Sequence, residues 1–121
     1  MKAVQIDMSG EEPVINEIDV ANVSPLYLQI LQLLGEGVDT LTAIPMPAGI
    51  VGYADDEGLF KNTKFWTYPG APQTYAGNAV FFGDSGSGQE IGLTADQIWW
   101  LKQSIDLHAG PTEPGFEIYS F

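Results

Sequence analysis

The stretch A-G-N-A-V-F-F-G, Ala76–Gly83, decides the fold, because it reads as a strand and as a central one. Working upstream, Val38–Ile44 (V-D-T-L-T-A-I) is rich in β-branched residues and reads as a second strand. Pro45-Met46-Pro47-Ala48-Gly49 breaks it, and Ile50–Tyr53 begins another. At the N-terminus, Lys2–Asp7 and Val14–Val20 alternate on either side of the turn Ser9–Pro13, the pattern of a β-hairpin. At the other end Phe116–Phe121 (F-E-I-Y-S-F) alternates aromatic and polar residues, predicting a terminal strand.

Two segments carry helix signals. Ser24-Pro25 supplies an N-cap and a first-turn proline, the run Leu26–Leu34 follows, and Gly35 and Gly37 stop it. Only Gln29 and Gln32 interrupt its apolar circumference, so a sheet on one side leaves another side for a second layer or a second chain. Thr94-Ala95-Asp96-Gln97 is a capping box that opens a helix from Ala95 to about His108, closed by Gly110 and Pro111. Its main stripe is Ile98, Leu101 and Ile105, with Trp100 and Leu107 forming a smaller one. The expected architecture is α+β, a single domain over 1–121. It has a mostly antiparallel sheet of five to six strands with two helices packed on one face.

Composition narrows the function. The 121 residues include 16 acidic and 4 basic side chains, a net charge of −12, and no cysteine. The basic residues, Lys2, Lys61, Lys64 and Lys102, are what is scarce, and arginine is absent. Nucleic-acid binding by counterion release needs clustered Lys and Arg, so direct contact with nucleic acid is not expected; attraction to an anionic membrane fails likewise. Without cysteine, disulfides, thiolate metal sites and thiol nucleophiles are excluded. The chain has no apolar run long enough to span a bilayer, and Met1–Gly10 lacks the apolar middle of a signal peptide, so a cytoplasmic protein is expected.

The motifs L-Q-L-L-G-E-G-V-D (Leu31–Asp39), A-D-D-E-G-L (Ala54–Leu59), A-G-N-A-V-F-F-G and L-T-A-D-Q (Leu93–Gln97) resemble an uncharacterised family of small domains of unknown function found mainly in bacteriophages and mobile elements. The resemblance covers about residues 24–107 and leaves a C-terminal strand or tail, 111–121. Glu36 stands where that family pairs glycines, Leu59 replaces a common lysine, and only Lys61-Asn62 remains of the polar residues that follow. It implies a phage or mobile-element setting, with the host cytoplasm as compartment, and supplies no catalytic residues.

The candidate sites each have a structural and a functional reading. Gly35 and Gly37 follow a helix, whereas a phosphate loop places its glycines before one. Asp55, Asp56 and Glu57 are consecutive turn residues that point apart, so no metal ligands are assigned. His108 and Ser104 share a helix face, but a Ser within a helix has no evident oxyanion hole, and no catalytic residues or cofactors are assigned. Asp84–Gly88 reads as a plain turn in preference to an anion nest. The aromatic group Phe65, Trp66, Tyr68 and Tyr75, on a Pro-rich segment, either stacks on a flat ligand or anchors a partner, or folds back as a lid over a small core. Trp100 joins it as a fifth binding candidate.

These readings favour a non-enzymatic accessory protein that binds a host protein or a small nucleotide-like ligand, with a counter-defence role. An acidic mimic of DNA, built on Glu11, Glu12, Glu17 and Asp19, is the alternative, and a carboxylate–metal hydrolase the second. The all-round apolar first helix and the Trp100–Leu107 stripe add the expectation of a homodimer.

Overall fold

A computed structural model describes residues 1–21, 26–56 and 64–108. In chain order the elements are β1 (Lys2–Asp7), β2 (Val14–Asp19), α1 (Leu26–Leu34), β3 (Leu41–Pro45), β4 (Ile50–Asp55), β5 (Phe65–Thr67), β6 (Tyr75–Ala76), β7 (Ala79–Asp84), β8 (Glu90–Ile91), α2 (Ala95–Ser104) and β9 (Asp106–His108). The main sheet runs β2-β1-β7-β4-β3, and β8 lies beside β7. Every pairing in it is antiparallel. The α+β class and the antiparallel six-stranded sheet agree with the sequence, and the N-terminal hairpin pairs Lys2 with Asp19 through to Asp7 with Val14.

Strand alternation sends neighbouring side chains of β7 to opposite faces. Val80 and Phe82 meet Ile30 and Leu34 of α1, together with Ala3 and Val20. Ala79 and Phe81 meet Trp66, Tyr75 and the α2 residues Ile98 and Leu101 on the other side. The two helices therefore cover opposite faces, where one shared face was expected. The cause is a second sheet, β6-β5-β9, that shares its face with α2 and leaves the reverse face to α1.

Three boundaries differ from expectation. The run Ala76–Gly83 is divided: Gly77, at φ +82°, turns the chain from β6 in the small sheet to β7 in the large one. The amide of Asn78 holds the corner, with Nδ2 donating to the Leu34 carbonyl (3.1 Å) and Oδ1 accepting from the Met8 N–H (2.7 Å). Second, α2 ends at Ser104, not near His108: Ile105 is extended (φ −75°, ψ 125°), and Asp106, Leu107 and His108 pair with Thr67, Trp66 and Phe65. Ladder bonds to β5 replace the last helical turn, which the local sequence could not foretell. β3 begins at Leu41 where Val38 was expected. Gly35 and Gly37, at φ +114° and +78°, terminate α1 as read. The Ser24-Pro25 cap, Glu57-Gly58, Lys61-Asn62, Gly110-Pro111 and the 111–121 segment with its Phe116–Phe121 strand lie outside the described residues. No helix among those described is long and apolar enough to cross a membrane.

Gly52 lies opposite Phe81, and a Cβ there would stand 2.8 Å and 2.9 Å from two of its ring carbons. Phe81 is fully buried, so its ring has nowhere to move. Gly52→Ala should therefore lower stability by about 1–3 kcal/mol through overpacking. Gly10→Ala, whose new Cβ would meet only Glu12 O at 3.8 Å, should stay within about 0.5 kcal/mol of the parent in the same urea titration.

Candidate functional site

The aromatic group of the Pro-rich segment turns inward. Phe65 (4% exposed), Trp66 (0%), Tyr68 (7%) and Tyr75 (7%) are interior residues. Trp66 stacks on Tyr75 with ring centroids 4.8 Å apart and meets Phe81 edge-on at 5.4 Å. Tyr68 donates its hydroxyl to the Pro45 carbonyl (3.0 Å), and burial raises the phenol pKa values of both Tyr68 and Tyr75. Trp66 Nε1 is buried and finds no hydrogen-bond partner among the described residues, so packing holds this ring in place. Trp66, Tyr68 and Tyr75 belong to the core between the two sheets, whereas Phe65, on the other face of β5, is buried with Ala76; none of the four offers an open face for a flat ligand. The lid reading is the one the geometry supports for them.

Trp100 is different. It is half-buried, meets the edge of Tyr68 at 6.0 Å, and lines an open groove of about 530 Å³ with Ala48, Thr94, Asp96, Gln97 and Trp99. One wall is the β3–β4 turn: the Ile50 N–H donates to the Pro47 carbonyl (3.3 Å), with Ala48 at φ +62° and Gly49 at φ +71°. Two successive left-handed residues make this a hairpin turn of the mirror-image kind, in which alanine at the first position is strained. The other wall is the start of α2. The capping box is present: Thr94 Oγ1 accepts from the Gln97 N–H (3.2 Å), and Gln97 Oε1 accepts from the Thr94 N–H (2.9 Å). Gln97 Nε2 then donates to the Ala48 and Gly49 carbonyls at 2.9 Å and 3.1 Å. A single side chain thus caps the helix and clamps the turn against it, fixing the width of the groove.

Trp99 is a groove residue that the sequence analysis does not single out. It is 65% exposed, the most exposed large apolar side chain among those described. The signal was available: Trp99 belongs to neither apolar stripe of its helix, so an aromatic stands on the polar side.

The remaining candidates resolve as follows. Ser104 ends α2 and His108 lies in β9, so the helical spacing that would have joined them does not exist. Asp84 Oδ1 accepts from the Gly86 N–H (2.9 Å) and Ser85 Oγ from the Ser87 and Gln89 N–H groups (3.2 Å and 3.3 Å), so the loop's own side chains occupy these amides. Among the described residues no three His, Asp or Glu side chains are grouped to hold a metal ion. Glu17 is bound by Lys102 (2.6 Å), which lowers its carboxyl pKa, and Asp19 faces Lys2 at 3.8 Å. Two of the four carboxylates proposed to imitate phosphates are therefore paired with lysines. A second opening of about 350 Å³ lies where α1 ends, beside Glu36 and Asp55, but the Asn78 amide in its wall is consumed by the corner described above.

The chain matches no protein-family model, no curated protein and no solved structure. The phage-family resemblance accordingly stands on its short motifs alone.

Ala48→Gly should relieve the left-handed strain and raise stability by about 1 kcal/mol. Gln97→Ala, which removes both the cap and the clamp, should lower it by about 1–2 kcal/mol. Thermal unfolding followed by circular dichroism reads both changes.

Proposed function

We propose that this protein is a non-enzymatic binding module that takes a basic protein segment into the groove between the β3–β4 turn and α2. The observation that carries the reading is Trp99, 65% exposed on the wall of a concave opening that also presents the Asp96 carboxylate. An indole is a frequent anchor of protein interfaces, and its face attracts a Lys or Arg head group held within about 6 Å. Asp96 adds an ionic partner on the same rim.

The rest of the molecule agrees with a cationic partner. The net charge of −12 steers positively charged surfaces inward. The described lysines are each engaged: Lys2 with Asp19, Lys102 with Glu17, and Lys64 with the carbonyls of Met8 and Gly10. A nucleotide-like ligand fits less well: Trp99 could stack a base, but the phosphates would meet Asp96 on a chain of net charge −12. The motif resemblance adds a setting, in which an accessory protein of a phage or mobile element meets a host protein.

The test is isothermal titration of the full chain with a peptide of alternating Lys and Leu, against its Glu–Leu counterpart. The Lys peptide should bind, and the Glu peptide should not. Trp99→Ala should weaken binding by about tenfold or more. Asp96→Asn should cost about threefold to tenfold, and added salt should weaken the parent complex. Equal binding of both peptides, or an unchanged affinity in Trp99→Ala, removes the groove as the site.

A further inference from the structure

A second surface lies on the opposite face of the sheet. From the α1 face outward, Ile30 and Leu34 are buried, Leu31 is half-buried, and Tyr27 and Leu28 are 47% and 57% exposed. Residues three and four apart share a helix face, so Tyr27, Leu28 and Leu31 form an outward apolar stripe, flanked by Gln32. The Tyr27 hydroxyl donates to the Asp39 carbonyl (3.3 Å), which holds the ring against the helix side.

The charge pattern says what fits there. Residues 20–35 contain no charged side chain in a chain that carries 16 acidic and 4 basic ones. Residues 40–54 and 65–83 are also charge-free; much of each is interior (Ile44, Ile50 and Ala54 in the first, Phe65, Trp66 and the β7 residues in the second), and exposed positions such as Pro47–Gly49 and Pro72-Gln73 are turn or bend residues. Neither of those runs contributes an exposed large hydrophobic side chain, whereas α1 contributes two. A basic partner gains nothing from an uncharged stripe. Two copies of a chain at −12, by contrast, repel most where carboxylates face each other, and an apolar stripe without charged side chains lets them meet at the lowest such cost.

We propose that α1 is the centre of a two-fold self-association surface, in which Leu28 of one copy packs against Leu28 of a second. Such an interface is self-complementary by symmetry. The groove lies on the Phe81 side of the sheet and α1 on the Phe82 side, so a back-to-back pair leaves both grooves open and makes the assembly divalent. A nine-residue helix alone offers less than the roughly 800 Å² per partner of a tight interface, so the dimer is weak.

Sedimentation equilibrium of the full chain tests this. The weight-average mass should climb from 13.1 kDa toward twice that value as concentration rises from about 10 μM to about 1 mM. Association should strengthen with added salt, because the opposing force is repulsion between like-charged copies. Leu28→Glu and Leu28→Lys, both at an exposed position, should each stay monomeric while keeping the parent's circular dichroism. An equimolar mixture of the two should restore the dimer with at least the parent's affinity. Trp99→Ala should dimerise as the parent does, which separates this surface from the groove. A mass of 13.1 kDa throughout, or dimerisation unchanged in both Leu28 variants, overturns the proposal whatever the peptide titration shows.

Discussion

The structure depends on β7 being buried from both sides. Ala79, Val80, Phe81 and Phe82 are each 0% exposed, and strand alternation divides them between two cores. Burying two phenylalanines on opposite faces of one strand contributes several kcal/mol, but only if each face has its own cover. That requirement places α1 on one side, and the small sheet with α2 on the other. It also dictates glycine where the neighbours close in. A Cβ at Gly83 would stand 2.9 Å from the Gly92 carbonyl, just as one at Gly52 would strike the Phe81 ring.

The corner at Gly77-Asn78 and the clamp at Gln97 solve similar problems. Each is one amide side chain that uses both its donor and its acceptor on backbone groups: both partners of Asn78 are far away in sequence, while Gln97 accepts locally from Thr94 and donates to a turn nearly fifty residues upstream. Asn78 ties the ends of α1 and β1 to the point where the chain changes sheets, and Gln97 ties the β3–β4 turn to the start of α2. Partly buried backbone groups that end an element need partners, and an amide supplies a donor and an acceptor in fixed geometry. The groove beside Trp99 is a by-product of this clamp: its width is set by three hydrogen bonds that exist to satisfy backbone.

What the sequence disclosed follows the range of the interactions involved. The N-terminal hairpin, the capping box at Thr94 and the glycine stop at Gly35 depend on residues within a few positions of one another, and all three were legible. Asp106–His108 were misread as helix because their partners, Phe65–Thr67, lie some forty residues upstream, and helical periodicity continues through Leu107 without a break. The aromatic group was ambiguous for the same reason. Whether Trp66 faces water or Phe81 depends on a second sheet whose strands are only two or three residues long. Periodicity has no purchase on strands that short. Of the candidate site, Trp100 was identified, but the turn wall and Trp99 were not, since the groove is made by two segments that meet through the Gln97 side chain.

Charge and apolar exposure combine into one argument about how such a molecule meets others. The described lysines serve as ties, joining β1 to β2 through Lys2 and Asp19, α2 to β2 through Lys102 and Glu17, and the β1–β2 turn to the start of β5 through Lys64. Cations used in this way leave the acidic surface largely unbalanced, which favours solubility and keeps acidic neighbours at a distance. Contact then concentrates where apolar side chains interrupt the negative field. The two clearest interruptions differ in kind. At Trp99, the proposed anchor for a cationic segment, the indole shares its groove with a carboxylate, while the stripe at Leu28, the proposed self-association surface, carries no charged side chain of its own. Because the central strand needs a cover on each face, the interruptions also fall on opposite sides of the sheet. The constraint that builds the core therefore separates the two proposed contact surfaces, so that neither would have to be vacated for the other to be used.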